Sequence, residues 1–276
     1  LQHFLEGIEI LENKECEKNI WDISLFTKNK NPETARLTSL GFIYNDLAML
    51  YKAIGNDEKT LSTLLLGYSI VKRIGKNSLL SIISQNLAQY YLKINKPDSA
   101  FIYAQESLTN MTKSGYNTYR GESYSIIGKV YLEKENYSEA KQYFEKSLIA
   151  HKLNYNKTGI PDTYLAFANL YKAKGIIDSG IFYTKMALSD YKDLNLATSI
   201  NTTYAELYKL YKLKGNTDSA FNYIQLYYAL NDSLTRADKR KIDEYQNIGF
   251  NEQIKAQQKE QERIQKENTL RIYALI

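Results

Sequence analysis

Apolar and polar positions alternate along this chain at helical spacing, and the pattern returns every forty residues. Its most regular marks are Tyr51, Tyr91, Tyr131, Tyr171 and Tyr211. Three residues before each stands a small side chain in four of the five cases, Ala48, Ala88, Gly128 and Ala168, with Tyr208 the exception. The position before that is apolar throughout: Leu47, Leu87, Ile127, Phe167 and Leu207. A further column holds Tyr44, Tyr124, Tyr164 and Tyr204, broken by Ser84. These spacings lay one apolar stripe along one face of a helix.

Downstream of each tyrosine a turn-forming segment recurs, at Gly55, Asn95, Glu135, Gly175 and Gly215. Helical spacing then resumes, with columns Leu61, Phe101, Lys141, Ile181, Phe221 and Leu64, Ala104, Phe144, Thr184, Ile224. Each unit therefore predicts a helix, a tight turn and a second helix. Gly55, Gly175 and Gly215 are placed to stop first helices, and Gly75 and Gly115 to stop second ones, where a left-handed residue is needed. Asp98, Ser138, Asp178 and Asp218 stand where N-caps are expected. Asn31-Pro32 reads as a cap followed by the first helical position.

In the third unit, Tyr124, Ile127, Gly128, Tyr131, Ala140 and Phe144 together resemble the tetratricopeptide repeat (TPR). The resemblance implies an all-α fold, a right-handed α-α superhelix of forty-residue repeats, with an extended helix at its C-terminal end. The family period is about 34 residues and carries a proline after the second helix. Here six more residues are present and the proline is missing. The extra residues are expected to lengthen the second helix or the loop after it. HEAT-type helix pairs share the longer period but lack the small residue, Tyr and Ala signature.

Three regions follow. Residues 1–31 form a degenerate capping repeat, with Leu11 and Ile20 at the Tyr and Ala positions. Residues 32–230 hold five repeats. Residues 231–276 begin with a capping helix, where Asn251 stands in place of the next tyrosine. Glu252 to Asn268 is polar on nearly every side, so it does not pack into a core. It is either a thin coiled coil of a dimer, with Phe250, Ile254, Gln261 and Ile264 at a/d spacing, or a solvated tail. Leu270 to Ile276 is apolar except for Arg271, and either begins a membrane span or ends a helix.

Composition narrows the function. The 36 basic and 31 acidic residues leave a net charge of +5, too mild to argue for direct binding of nucleic acid. The 25 tyrosines suit positions that are half core and half surface. Candidate chemistry is sparse. His3, His151 and Cys16 have no partner at metal-ligand spacing, and no glycine-rich phosphate loop or nucleophile motif is present. No pair of carboxylates sits in apolar sequence that would raise a pKa. The chain is therefore expected to bind rather than catalyse, with no cofactor or metal.

The TPR resemblance implies that the first helices line a concave groove. Its facing positions form three columns: Asn45, Gln85, Ser125, Leu165, Ala205; then Met49, Gln89, Lys129, Asn169, Lys209; then Lys52, Leu92, Leu132, Lys172, Lys212. The expected binding residues are Asn45, Gln85, Gln89, Lys129, Asn169, Lys172, Lys209 and Lys212. Amides suit a peptide backbone and lysines suit a carboxylate, so the partner is expected to be a peptide or protein. A homodimer through the C-terminal helix is a second expected association. The whole layout also resembles the extracytoplasmic TPR region of Bacteroidetes sensor kinases and membrane-tethered transcription regulators. That resemblance implies a periplasmic sensor module of a membrane-anchored protein. The alternative is a cytosolic scaffold that binds peptides.

Overall fold

The computed structural model describes residues 1–19, 31–236 and 239, and all regular structure among them is helical. A first helix, α1 (Gln2–Glu12), precedes a 3-10 segment, Lys14–Asn19. Then come α2 (Pro32–Ala53), α3 (Asp57–Ile74), α4 (Asn77–Lys93), α5 (Pro97–Ser114), α6 (Arg120–Glu133) and α7 (Tyr137–Leu153). They are followed by α8 (Gly159–Ala173), α9 (Ile177–Asp193), α10 (Ala197–Lys214) and α11 over 217–236. The chain divides into two compact units, Leu1–Asp190 and Tyr191–Ile276.

The helices end for a local reason that repeats every twenty residues. Gly55, Gly75, Gly115, Gly175 and Gly215 adopt φ between 66° and 77°, and Asn95, Glu135, Tyr155 and Asn195 share the left-handed region at 53° to 59°. The next amide then folds back on a carbonyl five residues earlier. Asn56, Lys96, Asn136, Asn156, Ile176 and Asn216 each donate across 2.9 Å, to Tyr51, Tyr91, Tyr131, His151, Tyr171 and Tyr211 respectively. This closure satisfies carbonyls that the helix end leaves open.

The same geometry corrects the expected N-caps. The residue after the left-handed position caps the next helix: Asn56 Oδ1 accepts from the Lys59 amide at 3.0 Å and Asn216 Oδ1 from Ser219 at 2.9 Å. Asp98 and Asp178 fall inside the first turn, as does Ser138. There the two acids favour the positive end of the helix dipole rather than closing it. Asn31 does cap α2, accepting from Thr34 at 3.2 Å with Pro32 at the first helical position. The six residues beyond the usual period are shared between helix and loop: 115–119 separate α5 from α6 and 154–158 separate α7 from α8. Between α3 and α4 only Gly75 and Lys76 intervene, and there the surplus lengthens the helices instead.

Within the first unit the helices pack as consecutive hairpins, α2 with α3, α4 with α5 and α6 with α7, each also touching the next. First helices contact first helices across repeats, α2 with α4, α4 with α6 and α6 with α8. The core is built from the recurring columns: Leu47, Ala48, Leu87, Ala88, Ile127, Phe167 and Ala168 are all buried, as are Leu64, Ala104 and Phe144. Gly128 is small because a Cβ there would stand 2.5 Å from the Phe144 ring. The column of Leu61, Phe101, Lys141, Ile181 and Phe221 is weaker, since Lys141 and Phe221 are exposed.

Two further ladders hold the hairpins together. Tyr91 stacks on Tyr103, Tyr131 on Tyr143 and Tyr171 on Tyr183, each with centroids 5.4 Å apart. Buried hydroxyls link neighbouring repeats. Ser107 Oγ donates to the Ser81 carbonyl at 2.8 Å and accepts from Ser123 Oγ at 3.2 Å. Forty residues on, Ser147 Oγ donates to the Gly121 carbonyl at 2.8 Å and lies 3.1 Å from Thr163 Oγ1. Burying these hydroxyls is tolerable because each has a partner.

The N-terminal segment docks on α2 by polar contacts. Arg36, 4% exposed, donates to Glu17 and to the Leu11 carbonyl, both at 2.7 Å. The Tyr44 hydroxyl donates to Glu12 at 2.8 Å, and burial, then this bond, pushes its pKa up to about 12. In the second unit, α10 buries Tyr204, Leu207 and Leu210, and Tyr211 stacks on Tyr223 of α11 at 5.6 Å. Among the described residues no helix is long and apolar enough to cross a membrane. Ile20, the expected coiled coil and the apolar end from Leu270 lie outside the described residues.

Candidate functional site

Four first helices, α2, α4, α6 and α8, bring their second-column residues to one cavity of about 620 Å³ in the first unit. Met49, Gln89, Lys129 and Asn169 all line it. Residues forty apart arrive together because each repeat sets its first helix beside the last. Lys52 and Leu92 from the third column, and Ser125 and Leu165 from the first, complete this wall. A smaller neighbouring cavity shares Leu92, Lys129, Ala166 and Asn169 and adds Leu132.

The other expected positions lie elsewhere. Asn45 and Gln85 are buried and do not line the cavity. Asn45 Oδ1 accepts from Asn86 Nδ2 at 2.8 Å, and Asn86 lines the wall instead. Lys172 is half-buried on α8, outside the lining. Lys209 and Lys212 belong to α10 in the second unit, where Lys209 pairs with Glu206 at 2.7 Å.

The charged groups of the cavity are unequal. Lys52 donates to Gln89 Oε1 at 3.1 Å, and Lys93 pairs with Asp57 at 2.6 Å. Burial, with Lys93 nearby, pulls the Lys52 pKa down. Lys129 keeps some surface open, but its ammonium is enclosed by protein, which also lowers its pKa; Asp162 opposes that shift. Among the described residues no hydrogen bond or ion pair holds the Lys129 ammonium.

At the same cavity stand three groups that sequence reasoning passed over. Glu122 accepts from Asn156 Nδ2 at 2.7 Å through one oxygen, while its other oxygen is buried without a partner. Burial pushes its pKa up, and Asp162 adds to the rise. The expectation that no carboxylate sits in such surroundings is thus corrected, because the pair comes from successive repeats. His151, 2% exposed, has an Nδ1 with no partner, and burial lowers its pKa against the pull of Asp162. Its ring fills the space left by two glycines: a Cβ on Gly121 or Gly159 would come within 2.5 Å or 2.2 Å of it. Glu122 and Asp162 share one register position, forty residues apart, and that was the available signal. His3 is exposed beside Glu6 and Cys16 is a free thiol.

Consecutive helix hairpins carrying a TPR-like signature stretched to forty residues define a TPR-like helical-repeat fold. No protein-family model matches the chain, and no curated protein matches it either. Solved structures do. BtubC from P. vanneervenii is 15% identical, covering 84% of this chain and 92% of that one, with a TM-score of 0.61. A Rap protein complexed with competence and sporulation factor is 13% identical over 83% of this chain and 74% of that one, TM-score 0.64. A signal transduction ATPase with numerous domains, bearing a TPR sensor, from Pyrococcus horikoshii is 17% identical, TM-score 0.59. The match covers 85% of this chain and 41% of that protein. At such identities the likeness establishes the fold.

Proposed function

We propose that this chain is a peptide-binding module of a signalling or regulatory protein, and that it senses or docks its ligand without chemistry. One observation carries the reading: the Lys129 ammonium is enclosed with no hydrogen-bond acceptor in a cavity that Gln89 and Asn169 of the neighbouring first helices also line. An enclosed ammonium is costly unless an anion meets it, so a ligand carboxylate is the natural occupant. The amides then take the peptide backbone. The Rap structure, complexed with a factor, and the ATPase with a TPR sensor support a sensory use of this fold.

The test is direct binding of short peptides with a free carboxyl terminus, by calorimetry. Lys129→Met should weaken them about tenfold, as losing a charge-assisted hydrogen bond does, with little change in melting temperature. Equal affinity for Lys129→Met and wild type would reject the groove.

Two parts of the proposal concern the C-terminal residues: that they join two copies, and that the chain is the extracytoplasmic part of a membrane-anchored sensor. Deleting residues 246–276 should convert a dimer to a monomer by sedimentation. An unchanged mass would remove the dimer, and full-length protein recovered only from cytosol would remove the anchored sensor.

A further inference from the structure

The cavity has two chemically different ends on one helix. Lys129 and Glu122 both lie on α6, and their numbers differ by seven. At 1.5 Å per residue that is about 10 Å along the axis, two turns on the same face. Lys129 offers an unmatched donor. At the other end Glu122 Oε2 and His151 Nδ1 are buried without partners, and both residues line the same cavity as Asp162. Buried polar atoms are ordinarily satisfied, and two orphans in the lining of one cavity are an unmet demand, which a donor meets when His151 carries its proton on Nε2. Gly121 and Gly159 seat the His151 ring so closely that no Cβ fits, which fixes the imidazole at this wall.

Resting on the peptide-binding reading above, we infer a second subsite at Glu122, His151 and Asp162 that takes the free amino terminus of the ligand. The occupant is then a short zwitterionic peptide lying along α6, its carboxylate on Lys129 and its ammonium on Glu122. An extended chain advances about 3.3–3.6 Å per residue, so about three residues span the two ends. Met49, Leu64, Leu92, Ile126 and Leu165 supply apolar wall between and around them. The ammonium would donate to Glu122 Oε2 and His151 Nδ1 while Asn156 keeps its bond to the other Glu122 oxygen. Fully blocked peptides would satisfy neither end, and long chains whose termini lie far apart could satisfy only one.

Calorimetry on the whole chain with Ala-Leu-Ala in four forms separates the two readings: free at both ends, N-acetylated, C-amidated, and blocked at both. The free form should bind best, and each single block should weaken it about tenfold. Glu122→Gln should erase the effect of acetylation and leave the effect of amidation; Lys129→Met should do the reverse. Should Glu122→Gln fail to fold by circular dichroism, Asp162→Asn serves as the second variant, with the same loss of discrimination at the amino end. If amidation weakens binding but acetylation does not, the amino-terminal subsite is overturned and the carboxylate groove stands. If neither block matters, or no form binds at millimolar concentration, both are overturned.

Discussion

Tyr155 and Glu135 do the work that glycine does elsewhere. Their φ values are 53° and 59°; of the other equivalent positions, 55, 75, 115, 175 and 215 are glycine and 95 and 195 are asparagine. An L-residue is disfavoured in that region by about 1–2 kcal/mol. Tyr155 is 88% exposed, so its ring returns little packing for the strain. Tyr155→Gly should therefore raise stability by about 1 kcal/mol in urea unfolding, offset in part by the looser unfolded chain. A lower urea midpoint would show that the ring makes a contact that matters. The four left-handed side chains are legible only through register; without the twenty-residue spacing, Glu135 and Tyr155 look like ordinary helix surface.

Between helices the decisive feature is the stacked tyrosine pair. The first tyrosine of each pair belongs to the marker column, but its partners Tyr103, Tyr143, Tyr183 and Tyr223 form a second forty-step column that sequence inspection overlooked. They stand outside the aliphatic columns of the second helices, and Tyr103, Tyr143 and Tyr183 pack half-buried against the core. For Tyr131 and Tyr143, a double-mutant cycle to leucine should give a coupling of about 0.5–1.5 kcal/mol in thermal unfolding. Zero coupling would reduce the ladder to a geometric coincidence. The helix limits teach a related lesson. The acids at 98 and 178 looked like caps, yet the left-handed residue three positions earlier had already fixed where the helix begins.

For the molecule as a whole, the buried His151 links the cavity to pH. Its folded pKa lies below the ordinary imidazole value of about 6.5, so the unfolded chain binds the proton more readily. The stability it confers is present above about pH 6.5 and is lost as pH falls toward the depressed folded value. Glu122 acts in the opposite sense, its raised pKa favouring the folded state on acidification. The difference between wild type and His151→Gln isolates the histidine: the wild-type advantage should shrink steadily from pH 7 to pH 5 in urea titrations. A difference that stays flat over that range would mean that folding leaves the His151 pKa where it stands in the unfolded chain.

The forty-residue recurrence of Tyr, small and apolar residues determined the helix pairs, their order and which faces are buried. That information is local, since a helix needs only its own period and its own stop. It also determined the wall positions 49, 89, 129 and 169, because equivalent residues of stacked repeats must fall side by side. Only the tertiary structure decided that Asn45 and Gln85 sink into the packing, that Glu122 comes within electrostatic reach of Asp162, and that His151 closes between two glycines of neighbouring repeats. Those outcomes depend on how deeply one helix settles against the next, a distance set by side-chain volumes from different repeats at once.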